Sequence, residues 1–294
     1  MKMKTEVSSL FLKLNQRLYD LRTPIIMGIV NVTPDSFFSL SRFKSGRSLL
    51  NQVEHQIADG AAIIDVGGYS TRPDAEAVSS EEELRRISEP IELIRKKFPD
   101  VPVSVDTFRS EVARAVVERY GVAMINDVSG GTHDPLMFET VASLGVAYVL
   151  MHSRGTPQTM QTLTDYEALL PDIIHFLAKR VAQLHLLGVN DVVIDPGFGF
   201  AKTLEQNYEL LRKLDYFKEI EVPILAGVSR KSMVYKLLGT SPEEALNGTT
   251  AVHMLALMGG ASILRVHDVK EATEAVKVYT AWQKAGKHYR DSVR

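Results

Sequence analysis

Ile25-Ile26-Met27-Gly28-Ile29-Val30, followed at once by the polar Asn31, is the stretch on which the fold turns. The run is short, mostly β-branched and unbroken by the polar alternation of a half-exposed strand. Such a segment reads as a strand buried on both faces, as in a parallel sheet covered by helices. Seven more runs of this kind follow: Ala62–Val66, Pro102–Val105, Val122–Ile125, Val146–Met151, Val192–Ile194, Pro223–Gly227 and Ser262–Val266. Helix-like segments separate them. Ser80 to Glu83 reads as a capping box before a helix reaching about Phe98, with a kink at Pro90. Thr203 to Gln206 is a second box. Ser241-Pro242-Glu243-Glu244 is a third, with Pro at the first helical position and a stop at Gly259-Gly260. Strand and helix therefore alternate eight times, the count that closes a parallel barrel. The expected fold is α/β: a single (β/α)8 TIM barrel over about residues 25–285, in a chain (1–294) that shows no composition break and reads as one domain. Ahead of it Leu10, Leu12 and Leu14 alternate, and Leu18 and Tyr19 follow Asn15-Gln16. This reads as a short N-terminal hairpin, with an amphipathic helical turn as the alternative.

Composition narrows the function. The 294 residues carry 34 Lys+Arg against 36 Asp+Glu, and 45% are hydrophobic, enough to bury a core. The near-neutral balance argues against a nucleic-acid binder. With no cysteine, disulfides, thiolate metal sites and a cysteine nucleophile are excluded. No apolar run reaches the roughly 18–20 residues of a membrane span. Met1-Lys2-Met3-Lys4 leads into polar sequence and not into a signal core. The expectation is a cytoplasmic protein acting on small molecules, with no nucleic-acid or membrane partner. No Gly-x-Gly-x-x-Gly follows the first strand and no phosphate-loop motif occurs; Gly197-Phe198-Gly199 holds only half a dinucleotide pattern. Spacing sets up neither a Ser-His-Asp triad nor a glycosidase Glu pair.

Barrel chemistry gathers at the carboxyl ends of the strands. Polar residues stand at those positions throughout: Asn31, Thr71-Arg72, Asp106, Asn126-Asp127, His152, Asp195, Ser229-Arg230-Lys231-Ser232, and Arg265 with His267. Any one Asp or Asn there could be a helix cap. Arg265, His267 and Lys231 could not, because cations are disfavoured at helix N-termini. The signs of charge also separate. Lys231, Arg265 and His267 follow strands seven and eight, the edge where barrels bind phosphate. Asn31 offers a neutral oxygen suited to a Mg²⁺ that travels with a phosphate group. Asp106, Asn126 and Asp195 suit a flat heterocycle rich in N–H donors. The simplest substrate is an anionic ester of a nitrogenous ring; a metal on the strand-end Asp residues is the alternative. His175 and His185 read as solvated and His253 as packed, while His55, His133 and His288 have no evident partner.

These residues fall in ordered runs: Met27–Phe37 (Met-Gly-Ile-Val-Asn-Val-Thr-Pro-Asp-Ser-Phe), Asp65–Pro73 (Asp-Val-Gly-Gly-Tyr-Ser-Thr-Arg-Pro), Ser104–Thr107, Ile125–Gly131, Met151–Pro157, Asp195–Lys202, Gly227–Ser232 and Arg265–Asp268. Together they closely resemble the dihydropteroate synthases of the folate pathway, over about residues 25–280. The resemblance implies condensation of a 6-hydroxymethyl-7,8-dihydropterin diphosphate with 4-aminobenzoate, giving 7,8-dihydropteroate and diphosphate. It also implies Mg²⁺ held through Asn31, a homodimer and sensitivity to sulfonamides. By the same resemblance Asp106, Asn126, Val128, Met151, Asp195, Gly227, Lys231 and Arg265 form the pterin pocket. Asn31, Arg265 and His267 surround the diphosphate. Phe37, Thr71, Arg72, Pro73, Phe200 and Ser232 border the aminobenzoate. The catalytic set is Asn31, Asp106, Lys231, Arg265 and His267.

The chain departs from the common pattern twice. Tyr69 stands where Glu is usual, and the first loop reads Ser36-Phe37-Phe38-Ser39-Leu40-Ser41-Arg42. Both lie on loops expected to be mobile and to close over the site, so aminobenzoate should bind well only after the diphosphate and Mg²⁺ have ordered them. The amine is already nucleophilic and the ring nitrogens stabilise the cation left when diphosphate departs, so no strong general base is required. Two rival readings are a methyltransferase that takes a methyl group from a reduced folate and a non-catalytic barrel. The anion-binding residues count against the first and the intact pocket against the second.

Overall fold

The computed structural model describes residues 10–32, 42–69 and 78–292. Strands β1 (Phe11–Leu14) and β2 (Arg17–Asp20) pair antiparallel, with Leu14 opposite Arg17. Asn15 and Gln16 between them have φ of 47° and 62°. Two consecutive left-handed residues make the turn whose twist matches a tight hairpin, which decides against the helical-turn alternative.

Eight parallel strands follow: β3 (Ile25–Asn31), β4 (Ala61–Gly67), β5 (Val103–Asp106), β6 (Met124–Asp127), β7 (Ala147–Met151), β8 (Val192–Asp195), β9 (Leu225–Ala226) and β10 (Ile263–Val266). Strands β3 to β8 pair in chain order, β10 returns to lie between β3 and β9, and a single parallel bridge, Ile194 to Ile224, joins the β8 and β9 sides. The expected (β/α)8 barrel is thus present, nearly closed. The helices that flank it are α1 (Arg42–Ala58), α2 (Ser80–Lys97), α3 (Ser110–Tyr120), α4 (Met137–Leu144), α5 (Leu169–Leu186), α6 (Leu204–Arg212), α7 (Ser232–Leu238), α8 (Leu246–Gly259) and α9 (Val269–Ser292). No described helix is long and apolar enough to cross a membrane.

Two helix starts differ from expectation. Ser79, not Ser80, caps α2: its backbone is extended and its hydroxyl accepts from the Glu82 N–H at 3.2 Å. The Glu82 carboxylate turns instead to Arg85 and Arg86. Pro242–Glu244 forms a turn, and α8 begins only at Leu246. The reason is Arg230, which binds the Pro242 and Glu243 carbonyls at 2.8 and 2.6 Å and so withdraws them from a helical ladder. The Thr203–Gln206 box forms in both directions, and Gly260 (φ 106°) ends α8 as read.

Side chains alternate along each strand. Val30, Ile64, Val66, Val105, Ile125, Leu150, Ile194 and Val266 point outward into one core shared with Ile87, Ile91, Ile173 and Leu177 of the helices. Met27, Ile63, Met124, Val149, Val193, Leu225 and Ile263 point inward. All sit toward the N-terminal ends of their strands, and Leu12, Leu14 and Leu21 of the hairpin segment pack with them. The hairpin therefore plugs the lower end of the barrel and leaves the carboxyl end for polar groups.

Candidate active site

The inward alternation continues upward. Two residues beyond the apolar layer come Ile29 and then Asn31 on β3, Asp65 and Gly67 on β4, Asn126 on β6, Met151 on β7, Asp195 on β8, Gly227 after β9, and Arg265 and His267 on and after β10. Asp106 follows the inward Ser104 on β5. The register sets these residues side by side: Asn31 opposite Gly67, Gly67 opposite Asp106, Asp106 opposite Asn126, and Met151 opposite Asp195.

Charge organises this layer. Arg265 donates to Asp65 Oδ2 at 2.7 Å and to Asp106 Oδ2 at 2.8 Å, and Asn126 Nδ2 donates to the same Asp65 oxygen at 3.1 Å. Asp65 is fully buried, and its other oxygen has no partner among the described residues. Burial pushes the Asp106 carboxyl up to about 7 against the pull of Arg265, with the Asp65 charge adding to the rise. Across the barrel Asp195 accepts from the Gly197 N–H at 2.7 Å. Burial also raises its pKa, while Lys231 opposes the rise. Lys231 Nζ donates to the Phe198 carbonyl at 2.6 Å and lies 4.6 Å from the centre of the Phe200 ring. Burial holds this ammonium down to about 8. A Cβ at Gly227 would stand 3.6 Å from Asp195 Oδ2 and 3.7 Å from Lys231 Nζ, so the glycine leaves open the space that both groups face.

The rim offers hydrogen-bonding groups, not a fixed charge. The Ser229 hydroxyl accepts from the His267 backbone N–H at 3.2 Å and lies 3.1 Å from Nδ1. With the hydroxyl donating to Nδ1, the ring has an Nε2–H for an outside acceptor. Local desolvation, then Arg265, holds the imidazole down to about 4 although the residue is open to solvent. Arg230 is no part of the rim. It forms a two-pronged ion pair with Asp268, both contacts at 2.8 Å, and braces the loop after β9 against the start of α9.

Known proteins match this chain by sequence and by shape. The pterin binding enzyme family matches residues 27–267. The dihydropteroate synthase of Synechocystis sp. is 43% identical over 274 residues, covering 92% of this chain and 94% of that protein. The chain belongs to the dihydropteroate synthase family. Among solved structures, the Yersinia pestis dihydropteroate synthase with a sulfonamide drug complex superposes with a TM-score of 0.87 at 38% identity, covering 94% of this chain and all of that one. The Xanthomonas albilineans dihydropteroate synthase with 4-aminobenzoic acid gives 0.86 at 39% identity, covering 94% and 99%.

Of the residues expected from the dihydropteroate synthase resemblance, Asp106, Asn126, Met151, Asp195, Gly227, Lys231 and Arg265 come together at the barrel mouth. Val128 is half-buried just beyond β6, Phe200 lies against Lys231, and Ser232 opens α7. Phe37, Thr71, Arg72 and Pro73 lie outside the described residues, as do the two loops expected to close. Tyr69 is described: it meets Phe108 edge to face at 5.3 Å, and the Arg109 guanidinium lies over both rings. Asn31 is exposed at its strand end. Among the described residues no group of three or more His, Asp or Glu side chains could hold a metal. A lone amide oxygen fits a Mg²⁺ that arrives with phosphate oxygens, not an ion caged by protein alone.

Two features escaped the reading of the sequence, and one strand-end residue falls outside the pocket. Asp65 is the hub of the Arg265 network; its signal is a carboxylate inside the apolar run Ala62–Val66, in step with Gly67. Lys202 and His152 form a buried pair, Nζ to Nδ1 at 3.2 Å. Asp127, a strand-end residue, accepts from the Ser129 and Gly131 N–H groups and from the Tyr148 hydroxyl; it shapes its loop and takes no place in the pocket. Of the histidines, His253 is packed as expected, and His133 finds the Gly155 carbonyl at 3.0 Å.

Proposed function

We propose that this barrel joins a 6-hydroxymethyl-7,8-dihydropterin diphosphate to 4-aminobenzoate, forming 7,8-dihydropteroate and diphosphate, the reaction of a dihydropteroate synthase. The observation that carries the reading is that the mouth gathers the acceptors Asp106, Asn126 and Asp195 with the two cations Arg265 and Lys231. Asp195 and Asp106, with Asn126 between them, accept the N–H edge of a pterin. Lys231 donates to the opposite side of the ring, and the Arg265 guanidinium, braced by Asp65 and Asp106, presents a flat cation for stacking.

The reacting bond joins the pterin methylene to the diphosphate oxygen. As it lengthens, positive charge spreads into the ring nitrogens and negative charge gathers on the leaving oxygen. Arg265 and, in its Nε2–H tautomer, His267 would donate at the side where that negative charge develops, and donors already in place need no reorganisation. Asn31 would hold Mg²⁺ together with the diphosphate, and the ion supplies charge neutralisation on the leaving group. The amine then attacks the methylene carbon and loses its proton to solvent. The aminobenzoate side falls to Phe200 and Ser232 with the loop residues Phe37, Thr71, Arg72 and Pro73. We take the working unit to be a homodimer in the cytoplasm.

The test separates ring from leaving group. His267→Ala should weaken a diphosphate-bearing pterin by about tenfold or more, the loss of a hydrogen bond to a charged group, and leave the bare pterin nearly unchanged. Lys231→Ala should weaken both. Calorimetry in which His267→Ala lowers the two affinities equally would show that the anion does not lie at this rim.

A further inference from the structure

We propose that Lys202 is a positioning residue for the pterin pocket: it fixes the loop 196–201 from beneath, and through that loop it sets Lys231 and Asp195. The inference rests on the pterin reading above and adds a residue to it. Lys202 lies just before α6 and is only 4% exposed, deeper than any catalytic cation needs to be. Its Nζ donates to the Gly197 carbonyl at 2.9 Å and to the Phe200 carbonyl at 3.0 Å, and it lies 3.2 Å from His152 Nδ1. These three acceptors use all three of its N–H bonds.

The loop is thereby gripped by two lysines from opposite sides. Lys202 takes the carbonyls of Gly197 and Phe200. Lys231 takes the carbonyl of Phe198, which lies between them. The two glycines that interrupt this loop both have positive φ and lie beside the grip. Gly197 has φ 76°, and a Cβ there would lie 1.9 Å from the His152 carbonyl oxygen and 3.4 Å from Lys202 Nζ. Gly199 has φ 80°, and a Cβ there would crowd the Lys231 stem at 3.2 Å. The Gly197 N–H is at the same time the donor that orients Asp195. A shift of the Gly197 peptide therefore moves an acceptor of Lys202 and the partner of Asp195 together.

His152 is the third member. Burial lowers the Lys202 pKa to about 7, with the Asp195 charge opposing the fall; as an ammonium it can only donate, and the imidazole is then neutral with Nδ1 as acceptor. Burial, reinforced by the Lys202 and Arg154 charges, holds its pKa down to about 2. Its backbone N–H donates to the Asp195 carbonyl at 2.9 Å, which ties β7 to β8 at the same level.

The test uses the full chain with Lys202→Met and Lys202→Gln, the latter keeping a donor in place. Binding of a bare pterin should weaken by about tenfold or more in Lys202→Met, from the loss of charged hydrogen bonds, and by less in Lys202→Gln. The KM for 4-aminobenzoate at saturating pterin diphosphate should rise by less than the pterin affinity falls, because Lys202 reaches that side only through the Phe200 carbonyl. In nitrogen-15 spectra His152 should stay neutral in the wild type down to pH values where free histidine is fully charged, with Nδ1 showing the shift of an acceptor that is lost in Lys202→Met. Wild-type-like pterin affinity in both variants, or an equal rise in both KM values, would overturn the positioning role and leave the pterin reading standing. A wild type that binds no pterin would overturn both. A His152 that titrates in the ordinary range in the wild type would show that the Lys202–His152 pair does not exist.

Discussion

At the scale of single residues, the pocket sets two titrations against each other. In the proposed pocket Asp106 would have to be a carboxylate to accept the pterin N–H edge, and burial pushes its pKa up to about 7. Lys231 must be an ammonium to donate, and its pKa is about 8. Affinity should rise as pH climbs through the first value and fall as it climbs through the second, so binding peaks between about pH 7 and 8. Calorimetric titration of bare pterin across this range checks it: Asp106→Asn should remove the acid limb relative to wild type, and Lys231→Met the alkaline one. Identical profiles in all three proteins would mean that neither group titrates on the binding path. The strand-end residues behind this behaviour were legible in the sequence because a polar side chain directly after a buried strand has one place to go in a barrel. Asp65 was harder to see, since it lies inside its strand, and only the alternation of inward and outward side chains distinguishes it. The Lys202–His152 pair joins positions 50 residues apart and has no spacing signature; it exists only once β7 and β8 lie side by side.

At the scale of elements, the hairpin and the mouth should be separable. Leu12 is fully buried among the inward residues of the lower barrel, so Leu12→Ala should cost about 2–5 kcal/mol of stability. Pterin affinity of the folded variant should match the wild type, because the apolar layer stands between the hairpin and the polar floor. Urea unfolding and calorimetry on the same variant measure both quantities, and a parallel loss of affinity would show that the plug shapes the site. Strands were legible as elements because continuous β-branched runs have few alternative structures. Helix starts were less so. Ser79 and Ser80 are equivalent by residue type, and only backbone conformation selects the cap. Pro242 has the sequence of a first helical residue, but the distant Arg230 claims its carbonyl.

At the scale of the whole molecule, α8 and α9 pack together, and both leave large apolar side chains exposed: Leu255 and Met258 on α8, Val278 and Trp282 on α9. The homodimer proposed above would find an apolar face on these helices. Trp282→Glu should then shift sedimentation toward the monomer while the isolated barrel keeps its far-ultraviolet spectrum; an unchanged sedimentation coefficient would place any dimer contact elsewhere. The closure of the barrel also has a consequence for how it breathes. Seven of the eight strand junctions are ladders, and the eighth, between β8 and the two-residue β9, is one bridge supported by the Ile194 N–H bond to the Pro223 carbonyl. Opening free energy follows the number of bonds that must part. The cylinder therefore has a seam, and Asp195 ends one side of it while Gly227 and Lys231 follow the other. In the proposed pocket a pterin held by residues on both sides would act as a rivet across that seam, so that its departure and the loosening of the wall would be one event, and the occupied barrel the stiffer cylinder.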